Sequence, residues 1–152
     1  MLIDYFKLRD SAIEPVRANP SDAGLDVFYC PSDGTKELKI PAGESVVVET
    51  GLKFGVPHGF MLEVKNRSSM AAKKQLIVGA CIIDPGYNGE LMVNLNNIGN
   101  QGRVISAGDK IAQVVMIPVI HFRARKIMTN TLYDNSICIS NRGTGGFGST
   151  GD

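Results

Sequence analysis

Proline and glycine interrupt this chain at short, regular intervals, and that punctuation limits the fold more than any other feature. Between the breaks lie short β-branched runs: 2–7, 37–40, 45–50, 60–64, 89–95, 103–106, 111–117 and 119–127. Such runs, bounded by turn residues, read as strands. Helical periodicity is nearly absent. The exception is 68–74, SSMAAKK, where serines ahead of Met-Ala-Ala-Lys-Lys read as a cap on about two helical turns. Many short strands with one short helix predict an all-β sandwich or barrel.

The length of 152 residues suits one domain with a real core. A formal net charge of +1 provides no general pull on nucleic acid, so no nucleic-acid partner is expected. No apolar run approaches a membrane span, so no membrane partner is expected. The opening MLIDYFKLRD carries charge early and lacks a signal-peptide pattern. Cys30, Cys81 and Cys138 are odd in number without CxxC spacing, and His58 and His121 stand outside any metal motif. A reduced, cytoplasmic setting is the expectation.

The stretch 78–90, VGACIIDPGYNGE, combines three parts. Val78–Ile83 is small or apolar and reads as a buried strand. Asp84-Pro85-Gly86 is a tight turn, with Pro presetting φ and Gly accepting φ > 0. Tyr87 and the alternating 90–95 then begin a return strand. A carboxylate and a phenol therefore flank the turn. Asp84 has a bland explanation as well, because an Asp side chain bonds the backbone two residues on.

Four other stretches carry polar groups. In Asn66-Arg67-Ser68-Ser69, an Arg and two hydroxyls stand at a short helix's start, suiting either an anion or simple capping. The turn 21–26, SDAGLD, holds two carboxylates beside a Gly and suits hard-cation chemistry weakly. In 108–113, GDKIAQ, a turn leads into a strand bearing Gln113. The tail RGTGGFGSTGD, from Arg142, is rich in Gly with a single aromatic, Phe147. It buries almost nothing and should be mobile alone. Its GxxxxG-x-[ST] spacing lacks the P-loop Lys, with Ser149 in that place, so a conventional P-loop is rejected. Glycine amides, Arg142 and the Phe147 ring still suit phosphate and a stacked base.

In this order, DAGLDV (22–27), NRSS (66–69), VGACIIDPGYNGE, GDKIAQ and RGTGGFGST (142–150) resemble the five motifs of the homotrimeric dUTPase family. The match covers nearly the whole chain. The resemblance implies a distorted β jelly roll over residues 1–141 and a C-terminal arm, 142–152, that closes over another subunit's site. It implies hydrolysis of dUTP to dUMP and pyrophosphate, limiting uracil in DNA and supplying dUMP for dTTP synthesis. By similarity, Asp84 activates a water for in-line attack at the α-phosphorus, and Mg²⁺ bound to the phosphates is held through water by Asp26. Arg67, Ser68, Ser69 and Gln113 contact phosphates, Arg142 reaches the γ end with Gly148 and Ser149, and Phe147 stacks on uracil. Backbone groups from Val78 through Cys81, Ile82 and Ile83 read the uracil edge. Tyr87 packs where a ribose hydroxyl would sit, and Met92 flanks the pocket.

The chain departs from the family pattern where Ser69 and Cys81 stand in usual Gly positions, and where the stretch from Gln113 to Arg142 is longer than usual. Two rival readings remain. The related dCTP deaminases share the fold, but their catalytic glutamate falls at Asn94, and an amide cannot serve as that acid and base. A catalytically idle nucleotide-binding regulator is the other.

Overall fold

The structure is a computed structural model that describes residues 1–133. All its regular elements fall within one compact unit, Met1–His121; a second unit begins at Phe122. The arm at 142–152, with Arg142, Phe147, Gly148 and Ser149, lies outside the described residues.

Eleven short strands and one helix are present among the described residues. In chain order they are β1 (Asp4–Lys7), β2 (Leu25–Phe28), β3 (Glu37–Ile40), β4 (Ser45–Glu49), β5 (Leu52–Gly55), β6 (Phe60–Lys65), α1 (Ser68–Lys74), β7 (Leu76–Val78), β8 (Ile82–Ile83), β9 (Met92–Asn97), β10 (Arg103–Ser106) and β11 (Lys110–Pro118). They form four small sheets ordered β2-β11-β6-β8, β4-β9-β7, β1-β5 and β10-β3, and every named pair is antiparallel. The fold is all-β without a closed barrel.

Alternation explains the core. Along β9, Val93, Leu95 and Asn97 are buried while Met92, Asn94 and Asn96 are half-buried. Val27, Ile40, Leu52, Leu76, Ile105 and Ile111 join Val93 and Leu95 in one apolar cluster. Each such side chain contributes about 2 kcal/mol by leaving water. Truncating Leu95 to Ala would cost about 3 kcal/mol, since a cavity adds to the lost transfer energy.

Three local expectations are corrected. Val78–Ile83 is not one buried strand: β7 and β8 are separated by Gly79–Cys81, and Ile82 is exposed. β7 pairs with the return strand β9, whereas β8 leaves to pair with β6 in another sheet. The serines do not cap α1. Arg67 holds the N-cap position in extended backbone without a side-chain cap bond. Finally, 119–127 forms no strand, because Pro118 ends β11. The Val119 N–H bonds the Gly59 carbonyl, and Ile120 and Phe122 point to solvent.

Candidate active site

The polar centre of the described chain is Asp26 on β2. A backbone bridge to Val16 fixes it: Asp26 N–H to Val16 O at 2.8 Å and Val16 N–H to Asp26 O at 3.1 Å. Asp26 lies opposite Gln113 on β11, so the two side chains share a face. The pairing then slips between Lys110 and Ala112, and Lys110 faces Phe28. Ile111 and Ala112 are consecutively buried at this bulge, and Lys110 and Gln113 both emerge half-buried. Lys110 Nζ reaches Asp26 Oδ2 at 2.9 Å, and Arg67 Nε donates to Asp26 Oδ1 at 2.8 Å. One carboxylate is thus bracketed by two cations.

Arg67 stands just beyond β6, where the strand hands over to α1. Its Nη1 lies 3.4 Å from Ser69 Oγ, and Ser68 and Ser69 are exposed beside it. Asn66 ties this cluster to the next element. Its carbonyl accepts from Gln113 Nε2 at 2.9 Å, and its Oδ1 accepts from the Val78 N–H at 2.6 Å.

The connection from β7 to β8 is held by asparagines. The Gly79 N–H bonds the Asn94 carbonyl at 2.9 Å, and the Ala80 N–H lies 3.4 Å from Asn94 Oδ1. A side chain at Gly79 would have to displace the Asn94 and Asn96 amides that hold this connection. The Val64 N–H donates to the Cys81 carbonyl at 2.7 Å, which fixes β8 on β6.

After β8 comes the expected turn. The Tyr87 N–H bonds the Asp84 carbonyl at 3.2 Å, and Gly86 has φ of 84°, as a type II turn requires. Asp84 is exposed. Tyr87 Oη donates to the Glu90 carbonyl at 3.0 Å. Glu90 is anchored in turn: its Oε1 accepts from Arg9 Nη2 at 2.5 Å and from the Gly51 N–H at 2.6 Å. Burial pulls the Arg9 guanidinium down, but hydrogen bonds to Glu90 and Cys30 and attraction from Glu90 and Glu49 outweigh it, leaving Arg9 above its ordinary value. Tyr87 also lines a cleft of about 460 Å³ with Tyr5, Phe6 and Phe54. Met92 opens β9 opposite Glu49, half-buried.

One chain therefore assembles two groups of candidate residues, at different places. Asp26, Arg67, Ser68, Ser69 and Gln113 gather past the far end of β6. Ile83 pairs with Leu62, which sets Asp84 beside Met61, near the start of that strand. Arg67 follows Met61 by six positions, roughly 20 Å of extended chain. Lys110, Asn66 and Glu90 stand inside sequence motifs without an assigned role, and Arg9 stands outside them. Lys110 sits inside GDKIAQ, and only the bulge turns it toward Asp26. Among the described residues no group of three His, Cys, Asp or Glu side chains could hold a metal ion. Asn94, at the deaminase glutamate position, is a scaffold group whose Nδ2 donates to Ser45 Oγ at 2.7 Å. No helix among the described residues is long and apolar enough to cross a membrane.

The dUTPase family model matches residues 10–151. The chain belongs to the dUTPase family. Relatives named deoxyuridine 5'-triphosphate nucleotidohydrolase include that of Crocosphaera subtropica, 36% identical with 99% of both chains covered. That of Clostridium acetobutylicum is 37% identical, covering 95% of this chain and 93% of the relative. Fowl adenovirus A serotype 1 carries another, 34% identical, with 97% of this chain and 76% of the relative covered. Among solved structures, the Staphylococcus bacteriophage 80alpha dUTPase with dUpNHpp superposes with a TM-score of 0.82 at 23% identity over 99% of each chain. A variant of the phage phi11 dUTPase from S. aureus, described as coordinating a structural Mg(II) ion, gives 0.75 at 22% identity, covering 85% of this chain and 98% of that one. These likenesses establish the dUTPase fold.

Proposed function

We propose that this dUTPase-family chain hydrolyses dUTP to dUMP and pyrophosphate, at sites completed between copies of itself. The observation that carries the reading is the separation along β6. The exposed Asp84 carboxylate follows the Ile83–Leu62 pair and the Arg67–Ser68–Ser69–Gln113 cluster gathers at and beyond Lys65, so the two halves of a nucleotide site lie toward opposite ends of β6 in one chain. A homotrimer whose sites each take Asp84 from one subunit and the phosphate cluster from the next resolves that separation. The arm at 142–152 would close the pocket, with Arg142, Gly148 and Ser149 on phosphate and Phe147 on the base.

Asp84 then acts as general base, taking a proton from the water that attacks the α-phosphorus in line. Arg67 bonds phosphate oxygens through its terminal nitrogens while its Nε stays on Asp26. Ser68, Ser69 and Gln113 add neutral donors. Tyr87, held by its bond to the Glu90 carbonyl, excludes a 2′-hydroxyl by shape.

The donor set fits Mg²⁺ carried in on the phosphates rather than caged by protein, because Mg²⁺ keeps several waters and uses few carboxylates. Asp26, whose two oxygens already take Arg67 and Lys110, would reach it only through water on its remaining lone pairs, and when bound the ion would neutralise phosphate charge. The uracil edge would be read by groups of Val78–Ile83. Val78, Gly79 and Ala80 amides already serve Asn66 and Asn94, so the Cys81 region is left as reader. The Cys81 carbonyl has a second lone pair beyond its bond to Val64. The reaction would limit uracil in DNA and supply dUMP, in a cytoplasmic setting.

The test compares hydrolysis of dUTP, UTP, dTTP and dCTP with Mg²⁺, then mixes two inactive variants, Asp84→Asn and Arg67→Ala, by refolding them together. Selective release of pyrophosphate from dUTP, and activity regained only in the mixture, are expected. No regained activity would refute shared sites. Ammonia released from dCTP, or no turnover of any nucleotide, would refute the assigned reaction.

A further inference from the structure

We infer that Lys110 is a positioning residue that keeps the terminal nitrogens of Arg67 available for phosphate. The inference rests on the reading above, in which Arg67 contacts the substrate's phosphates.

A carboxylate facing an arginine takes it in bidentate fashion when both oxygens are available. Such a pair would draw a terminal nitrogen of Arg67 onto Asp26. The structure shows another arrangement. Arg67 gives Asp26 only its Nε, at 2.8 Å from Oδ1, while Oδ2 is taken by Lys110 Nζ at 2.9 Å. The Asp26 backbone is fixed by its bridge to Val16, so side-chain rotation is its remaining freedom. Lys110 limits that rotation. Its own ammonium lies 5.8 Å from the centre of the Phe28 ring, which holds it from a second side.

The bulge is what brings Lys110 to this place. In an unbroken strand, side chains alternate, so Lys110, three positions from Gln113, would face the opposite surface. With Ile111 and Ala112 both buried, the alternation slips by one, and Lys110 joins Gln113 on the Asp26 face.

Removing the ammonium frees Oδ2, and Asp26 then captures Arg67 through two bonds. The experiment uses Lys110→Met and Lys110→Arg in the full-length protein. For Lys110→Met, KM for dUTP should rise about tenfold, equivalent to about 1.4 kcal/mol of binding, with kcat within about twofold. Lys110→Arg, which still donates to Oδ2, should restore KM. A readout independent of turnover is the side-chain ¹⁵N spectrum of Arg67 without nucleotide. Its terminal nitrogens, engaged in the parent protein by the 3.4 Å contact of Nη1 with Ser69 Oγ, should rotate faster there than in Lys110→Met, where one should become slow and resolved. An unchanged Arg67 spectrum in a folded Lys110→Met protein overturns the inference, as does a kcat loss that Lys110→Arg fails to repair. If the parent protein does not turn over dUTP, the functional reading falls, and the Arg67 spectrum alone decides the role of Lys110.

Discussion

Asp26 and Arg67, 41 positions apart in sequence, meet through a 2.8 Å bond from Nε to Oδ1, with Lys110 on the other oxygen. Removing the acid leaves two cations facing each other without a counter-charge. Breaking a fully buried pair costs about 3–5 kcal/mol. With the side chains of Asp26, Arg67 and Lys110 12%, 25% and 37% exposed, solvent screens part of that. Asp26→Ala should therefore lower stability by about 2 kcal/mol in urea unfolding, and raise KM for dUTP. An unchanged midpoint would mean the pair contributes little.

Asp84→Asn removes the proposed base while keeping shape and turn geometry. Turnover should fall at least about 10²-fold, the low end for general-base loss. Calorimetric affinity for a non-hydrolysable dUTP analogue should stay within a few-fold. Near-normal kcat would transfer the role to another group.

Tyr87→Ala should relax sugar choice. The ratio of kcat/KM for dUTP over UTP should drop by at least about tenfold, since about 1.4 kcal/mol of steric exclusion is lost. Tyr87→Phe loses the bond to the Glu90 carbonyl but keeps the ring, and should retain most discrimination. Equal ratios in the parent and Ala forms would contradict the assignment.

Deleting residues 142–152 should abolish most dUTP hydrolysis without moving the thermal unfolding midpoint, as expected of a closing arm. A lowered midpoint on truncation would mark the segment as part of the core instead.

Tyr29 sets a limit on the alkaline side. Burial, with Asp33 and Glu49 nearby, raises its phenol above the ordinary 10.0. Above pH about 10 the unfolded chain releases this proton first, so stability present below that pH is lost as pH climbs toward the folded value. Tyr29→Phe should flatten the fall in melting temperature between pH about 9 and 11. The same slope in both proteins would show that other groups dominate.

Strand identity was legible where alternation and punctuation agreed. β3 and β10 lie where the sequence puts them, and β9 shows its pattern openly. β2 was hidden because its strand residues sit beside Asp22 and Gly24, which read as turn. β5 was hidden because a lysine and a glycine interrupt so short a run. The 119–127 run carried strand residues but found no partner edge, and strand propensity without pairing is not a strand. Asp26, Arg67 and Gln113 were visible as types in motifs, whereas their common face was not. That face depends on the register of β11 against β2 and on a slip that no local pattern announces.

The slip at Lys110–Ala112 also sets a rule for length. Deleting Ile111 would straighten the strand and leave Lys110 opposite Phe28, on the same face as Gln113, but it would empty the core space that the fully buried Ile111 fills. Shortening this edge by one residue would spare the charge and hollow the interior, so the extra residue serves packing while the ammonium keeps its place.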